Sequence, residues 1–151
     1  MSKIEVYEDS SIETLWKCLE LAREHYYEVE EKSSTIPFNL NMAMVEQLAS
    51  SGMLRNVVAV RGEEIVGYFA NIISPCIYTS RITAKELGIF LHPSVRGGST
   101  FYRMLKLTEH LAKEAGCYSQ MVAFKEGHDV GLAQRAGYTP TETVYHKLLG
   151  E

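Results

Sequence analysis

The sequence predicts an α/β domain of the α+β kind, with a central sheet of about six to seven strands flanked by about four helices. Two observations carry that expectation. Asn56–Arg61 and Glu64–Ile73 are rich in Val, Ile, Tyr and Phe and face each other across Arg61-Gly62-Glu63, which reads as a hairpin. Farther on, the apolar stretch Thr83–Leu91 breaks at His92-Pro93, passes through Val95-Arg96-Gly97-Gly98-Ser99-Thr100 and becomes an amphipathic helix that stops at Gly116.

The elements follow in order. Ile4–Tyr7 alternates in part and serves as a first strand. Ser10 and Glu13 have capping-box spacing, so a helix starts there with Ile12, Leu15, Trp16, Leu19 and Ala22 inward and Trp16 in the core. From His25 to Asn39 the periodicity fades, and Pro37 biases Ile36 toward extended backbone, which predicts a connection carrying Tyr26, Tyr27 and Phe38. A second helix spans Asn41–Ser50, with Met44, Val45 and Leu48 inward and Gly52 as its stop. Ser74-Pro75 ends the second hairpin strand, and Ile77–Thr83 reads equally as sheet or loop.

On the strand Thr83–Leu91, strict alternation places Leu87, Ile89 and Leu91 on one face and Glu86, Gly88 and Phe90 on the other. The helix after it has Phe101, Met104, Leu105, Thr108, Leu111, Ala112 and Ala115 on one stripe. Tyr118–Phe124 is a further strand, His128–Ala136 a short helix closed by Gly137, and Tyr138–Leu149 one long strand or two short ones with Val144, Leu148 and Leu149 buried.

Residues 1–151 form a single domain on this reading, with no repeat, linker or low-complexity tract to divide them. At 46% apolar and 23% charged residues, the composition excludes a disordered chain. A net charge of −4 gives no general attraction to nucleic acid or to an anionic membrane, so neither is expected as a partner. Cys18, Cys76 and Cys117 lie far apart without metal-ligand spacing, and the histidines also lack it; reduced, buried thiols and no metal are expected. Without an N-terminal apolar segment or a transmembrane-length run, the expected location is cytoplasmic.

The turn carries the chemistry. A small-residue turn at a helix N-terminus offers backbone N–H groups without intrahelical partners and the positive end of the helix dipole, and so suits a phosphate-bearing ligand. No Gly-Lys-Ser/Thr follows and GxGxxG is missing, which argues against a nucleotide P-loop and a Rossmann fingerprint.

Taken with Leu91-His92-Pro93 before it and Ala136-Gly137-Tyr138 near the end, the turn resembles that of the GNAT superfamily of acyl-CoA-dependent N-acyltransferases. The order of elements matches over almost the whole chain. That resemblance implies a mixed, mostly antiparallel sheet. It also implies acetyl-CoA, with the pyrophosphate on the turn pattern Arg/Gln-x-x-Gly-x-Gly/Ala, here Arg96-Gly97-Gly98-Ser99-Thr100-Phe101. Ser99 and Phe101 depart from the two small positions, and the Phe101 side chain is expected to point into the core. The cofactor's arm is expected along the backbone of Ile89, Phe90 and Leu91.

The reaction implied is attack of a primary amine on an acyl thioester, which needs a base for the amine and an acid for the leaving thiolate. Glu86 is the candidate base, on a strand where the family often places a carboxylate; an exposed glutamate beside Lys85 is the plain alternative. The family's frequent acid is a tyrosine four residues before the closing Gly, and Ala133 stands there instead. His128, Tyr138 and Tyr145 are the substitutes, each with a structural reading as well. The expected function is therefore an N-acetyltransferase acting on a small molecule, peptide or protein; the alternative is a weak or inactive CoA-binding module working through a partner. Acceptor contacts are expected from Tyr26–Phe38 and Ile77–Thr83, and a homodimer through the terminal strands.

Overall fold

The computed structural model of the protein describes residues 3–30, 36–125 and 131–150. Among them the order is β1 Ile4–Glu8, α1 Ile12–Lys17, α2 Leu19–His25, a π-helical turn Tyr26–Glu30, α3 Met42–Ser50, β2 Leu54–Arg61, β3 Glu64–Pro75, β4 Ile82–Leu91, a 3-10 turn Pro93–Val95, α4 Thr100–Glu114, β5 Gln120–Met121 and α5 Leu132–Arg135. The strands form one sheet in the order β1-β2-β3-β4-β5, antiparallel except for the parallel pair β4/β5.

β2 is buried along almost its whole length because helices cover both faces of the sheet, which explains a near-continuous apolar run in place of alternation. Val57, Ala59, Val66, Phe69 and Leu91 pack under Met104 and Leu105 of α4. On the opposite face, Val58, Val60, Tyr68 and Phe90 meet Cys18 and Leu21, while Leu54 meets Leu15 and Met42. Burying a side chain such as Phe69 contributes about 1.5–3 kcal/mol, so these two layers hold the sheet.

Several expectations need correction. The sheet has five strands and five α-helices among the described residues, against the expected six to seven and four. The strand difference lies at the end of the chain, and the extra helix arises where the expected first helix divides at Cys18 into α1 and α2. Thr139–Gly150 forms no strand, and Val144, Tyr145 and Leu149 are 81%, 90% and 92% exposed. Ile77–Thr79 is a turn, and β4 begins at Ile82. Where a loop from His25 was expected, α2 runs into the π-helical turn, with the Tyr26 hydroxyl donating to the Ile36 carbonyl.

The cap of α1 is Ser11, whose Oγ accepts from Thr14 N at 3.2 Å. Ser10 is occupied elsewhere, accepting from Asn56 N of β2 at 2.8 Å. α1 and α2 part at Cys18, and the inward residues are Leu15, Cys18 and Leu21, while Trp16 is half exposed and donates Nε1 to Glu46 at 2.6 Å. Met44 likewise faces out, with Met42 buried in its stead. Of the cysteines only Cys18 is buried, and burial pushes its thiol up to about 11; Cys76 and Cys117 are half-buried and all three are free. No helix among the described residues is long and apolar enough to cross a membrane.

Asp9 completes the α1 cap, accepting from Thr14 Oγ1 at 2.6 Å and from Ser11 N at 3.1 Å. The Thr14 hydroxyl is the main reason its carboxyl lies below the usual value. A depressed folded-state pKa gives stability that is present above the unfolded value and is lost as pH falls through the folded one. Asp9→Ala is therefore expected to cost about 0.5–1.5 kcal/mol in urea unfolding at pH 7. The gap from the parent should close as pH drops below about 4; a gap of constant size down to acid pH would mean that the carboxylate charge plays no part.

Candidate functional site

The site begins where β4 and β5 part. Their parallel register covers only Ala84↔Gln120 and Lys85↔Met121. At that point Asn71 of β3, 2% exposed, exchanges two side-chain hydrogen bonds with Gln120 at 3.0 and 2.9 Å, clamping the last paired residues across β4. Immediately beyond, the Glu86 carboxylate accepts from Ala123 N at 3.2 Å, so a side chain takes the place of a ladder carbonyl. Val122 and Phe124 then lean over the α4 side, where Phe124 meets Phe101 at 6.2 Å between ring centroids. The predicted strand Tyr118–Phe124 is thus cut to two residues, and the edge of β4 from Leu87 to Leu91 has no strand paired to it on that side among the described residues.

β4 also carries a bulge. Ala70 pairs with Gly88 but Asn71 pairs with Glu86, leaving Leu87 without a partner and 55% exposed. Opposed residues in an antiparallel pair share a face, and an extra residue inverts the alternation beyond it. Glu86 therefore lies on the α4 side with Asn71 and Phe69, while Gly88 and Phe90 lie on the α2 side. This corrects the expected alternation, which put Glu86 and Gly88 on the same face.

β4 leads straight into the anion cradle. Gly97 has φ +89°, a left-handed turn that suits glycine, and nothing lies within 4 Å of where a Cβ on Gly97 or Gly98 would stand. Ser99 is the residue before α4 and makes no side-chain cap. The N–H groups of Gly97 through Tyr102 have no hydrogen-bond partner among the described residues. Beside them a cleft of about 210 Å³ runs between the start of α4 and α5, lined by Gly98, Phe101, Tyr102, Leu105, Leu132, Arg135 and Ala136. Such a cradle fits phosphate oxygens, and the open β4 edge beyond it fits an extended arm carrying amides. From Glu86 to Leu91 the edge is about 16 Å long.

The Arg96 side chain does not enter the cradle. Its Nε donates to the Leu91 carbonyl at 2.8 Å, Nη2 to Glu28 at 2.7 Å, and the guanidinium lies 5.1 Å over the Phe90 ring. It braces the turn against the end of β4. Thr100 is buried beneath the turn, and Phe101 is half-buried, lining the cleft while packing against the core.

The candidates separate accordingly. Glu86, Ile89, Phe90, Leu91, Arg96, Gly97, Gly98, Ser99 and Thr100 fall along one line from the bulge to the head of α4. Tyr145 does not join them, being 90% exposed in the tail, and His128 lies outside the described residues. Tyr138 donates its hydroxyl to Glu109 at 2.6 Å, and burial first, then that carboxylate, raises its pKa, so it is occupied on α4. Sequence reasoning missed Tyr102 and Arg135, whose place in the cleft depends on how α5 meets α4. It also missed His25 and Tyr68, which share a 2.6 Å hydrogen bond beside Gly88 although they are 43 positions apart. Among the described residues, no group of three or more His, Cys, Asp or Glu could hold a metal.

No model of a protein family matches the chain, and no curated protein matches its sequence. Solved structures do match its fold. A ribosomal-protein-alanine N-acetyltransferase from Brucella melitensis biovar Abortus 2308 superposes with TM-score 0.74 at 12% identity, covering 98% of this chain and 100% of that one. An aminoglycoside acetyltransferase from an uncultured soil metagenomic sample gives 0.76 at 14% identity, over 98% and 99% of the two chains. A transcriptional regulator from Bacillus halodurans C-125 gives 0.76 at 17%, over 97% and 100%. The protein has the fold of the GNAT superfamily.

The clamp at the parting of the strands is testable. Asn71→Leu leaves Gln120 without its partner and is expected to cost about 1–3 kcal/mol. Amide exchange at Ala84, whose N–H donates to Ser119 across the same junction at 3.0 Å, should accelerate with it. A variant with unchanged urea midpoint and unchanged Ala84 exchange would show that the amide pair does not hold β5 in place.

Proposed function

We propose, with the GNAT fold as premise, that the protein is an N-acetyltransferase that takes its acetyl group from acetyl-CoA and passes it to a primary amine. The observation that carries this reading is the continuous track from the N–H cradle at Gly97–Tyr102, along the open edge of β4, to Glu86 at the bulge. Phosphates suit the cradle and Arg135 lies at the cleft beside it; backbone groups of Ile89 to Leu91 suit an arm of amides. Bound there, acetyl-CoA supplies an acyl thioester. Glu86, fixed by the Ala123 N–H, is the group that accepts the amine proton directly or through a water.

The classes of acceptor worth offering first come from the neighbours' names: an aminoglycoside and an alanine-bearing ribosomal-protein peptide. A second reading, a CoA-binding module with little turnover, is favoured by one observation. Each tyrosine considered as the acid is engaged or remote, Tyr138 on Glu109 and Tyr145 in the exposed tail. A homodimer through that tail remains part of the proposal.

Calorimetric titration with acetyl-CoA decides first: heat is expected, and none at high micromolar concentration would remove both readings. Gly97→Ala, which forces a left-handed conformation at a cost of about 1–2 kcal/mol, should weaken that binding by roughly tenfold at 1.4 kcal/mol of distortion. A thiol-release assay over the amine panel then separates enzyme from module. Glu86→Gln should lower kcat by roughly 10²-fold or more with unchanged affinity for acetyl-CoA; full turnover in that variant would dismiss Glu86 as the base.

A further inference from the structure

α2 ends at His25, where the helix widens into the π-helical turn Tyr26–Glu30, a feature that recurs at functional sites. The His25 ring stacks on Phe90 at 5.1 Å between centroids and 13° between planes. Its Nδ1 lies 2.6 Å from Tyr68 Oη, and Tyr68 is 8% exposed. Both rings rest against β4 at the residue after the bulge: a Cβ on Gly88 would stand 3.5 Å from Tyr68 Cε1 and 3.7 Å from His25 Cε1. The absence of a side chain there keeps the pair close to the strand's backbone.

The bulge gives this placement its meaning. Because Leu87 is the extra residue, Glu86 lies on the α4 side of the β4 edge and the His25–Tyr68 pair on the α2 side, two residues away along the strand. Two sets of proton-exchanging groups thus flank one open edge from opposite faces. We propose that Tyr68, with His25 behind it, is the acid that protonates the leaving sulfur, the role left vacant at Ala133 and unfilled by Tyr138.

This rests on the acetyltransferase reading, in which acetyl-CoA is a substrate. The amine nitrogen attacks the thioester carbonyl carbon; the C–N bond forms and the C–S bond breaks. The nitrogen loses its proton to Glu86, and the sulfur takes one from Tyr68 Oη. The phenolate recovers a proton from Nδ1 of the His25 imidazolium, and exchange with solvent carries the proton from Glu86 back to His25. No oxidant or further reactant is needed. Among the described residues, the groups around the pair include Phe90 from β4 with Arg96 over its ring and Glu28 paired to Arg96, and Cys18, held as a neutral thiol by burial.

The test uses the full chain with Tyr68→Phe and His25→Gln, acetyl-CoA, and the most active amine of the panel. Tyr68→Phe removes only the hydroxyl, and acetyl-CoA calorimetry alongside checks that the site remains intact. Expected are a fall in kcat of roughly 10²-fold or more, unchanged cofactor affinity, and loss of the alkaline limb of the pH–rate profile in both variants. Imidazole NMR of the unloaded protein supplies a second readout, in which the His25 titration midpoint should move when Tyr68 becomes Phe. Parental kcat and pH profile in Tyr68→Phe, or an unmoved His25 midpoint, overturns the proposal. A parent without turnover on any amine instead fails the acetyltransferase reading, while the NMR readout still decides whether the pair shares a proton.

Discussion

Everything that makes this molecule more than a covered sheet depends on β4 and β5 parting after two residue pairs. Parallel strands left to themselves continue their ladder, because each further pair satisfies backbone groups that otherwise need water or a ligand. Here three features stop it together. The amides of buried Asn71 and half-buried Gln120 join β3 to β5 across the paired residues, Glu86 takes the Ala123 N–H, and the bulge at Leu87 shifts the strand's register at the same level. The result is an edge of β4 left without a paired strand among the described residues, leading toward the N-terminus of α4. Unpaired edges invite another chain, so such an edge inside a domain requires a reason. The extended acetyl-CoA arm proposed above would supply one.

The bulge also decides which side chains can cooperate. With strict alternation Glu86 and Gly88 would share the α2 side, and Glu86 would crowd the His25–Tyr68 pair. One unpaired residue separates them to opposite faces while leaving them close along the strand. Groups kept in different surroundings can hold different protonation states at the same pH, which acid–base chemistry needs. Asn71 plays a part in both features, clamping Gln120 and facing Glu86 across the register shift.

What the sequence reveals of this follows from the range of each interaction. The hairpin, α4 and the turn before it are legible because their signals are local: β-branched runs around Gly62, a helical stripe from Met104 to Ala112, small residues at Gly97 and Gly98. The cap of α1 is misread by one step, since Ser10 and Ser11 are chemically alike and only the tertiary bond from Asn56 N decides which is free to cap. The bulge is invisible because Leu87 fits the alternating pattern it breaks. His25–Tyr68 and Asn71–Gln120 join residues 43 and 49 positions apart, and nothing local marks them. The tail reads as strand because Val144, Tyr145, Leu148 and Leu149 are sheet-forming residues, yet β propensity chiefly measures fit to a half-buried surface, and here the segment has none.

Arg96 shows why a turn can keep its fold while its sequence drifts. A signature arginine invites the assumption that it binds the phosphate, but this one spends its donors on Leu91 O and Glu28 and lays its plane over Phe90. Its contribution is to fix the end of β4 against the π-helical turn, while the N–H groups from Gly97 to Tyr102 keep no hydrogen-bond partner among the described residues. Affinity built from backbone N–H groups constrains side chains only through size and conformation. Ser99 is tolerated because it is small, and Phe101 because it turns toward the core and Phe124 while its backbone N–H stays in the cradle. A turn of that kind is compatible with a fold kept at 12–17% identity, as in a chain that matches whole structures and no sequence model.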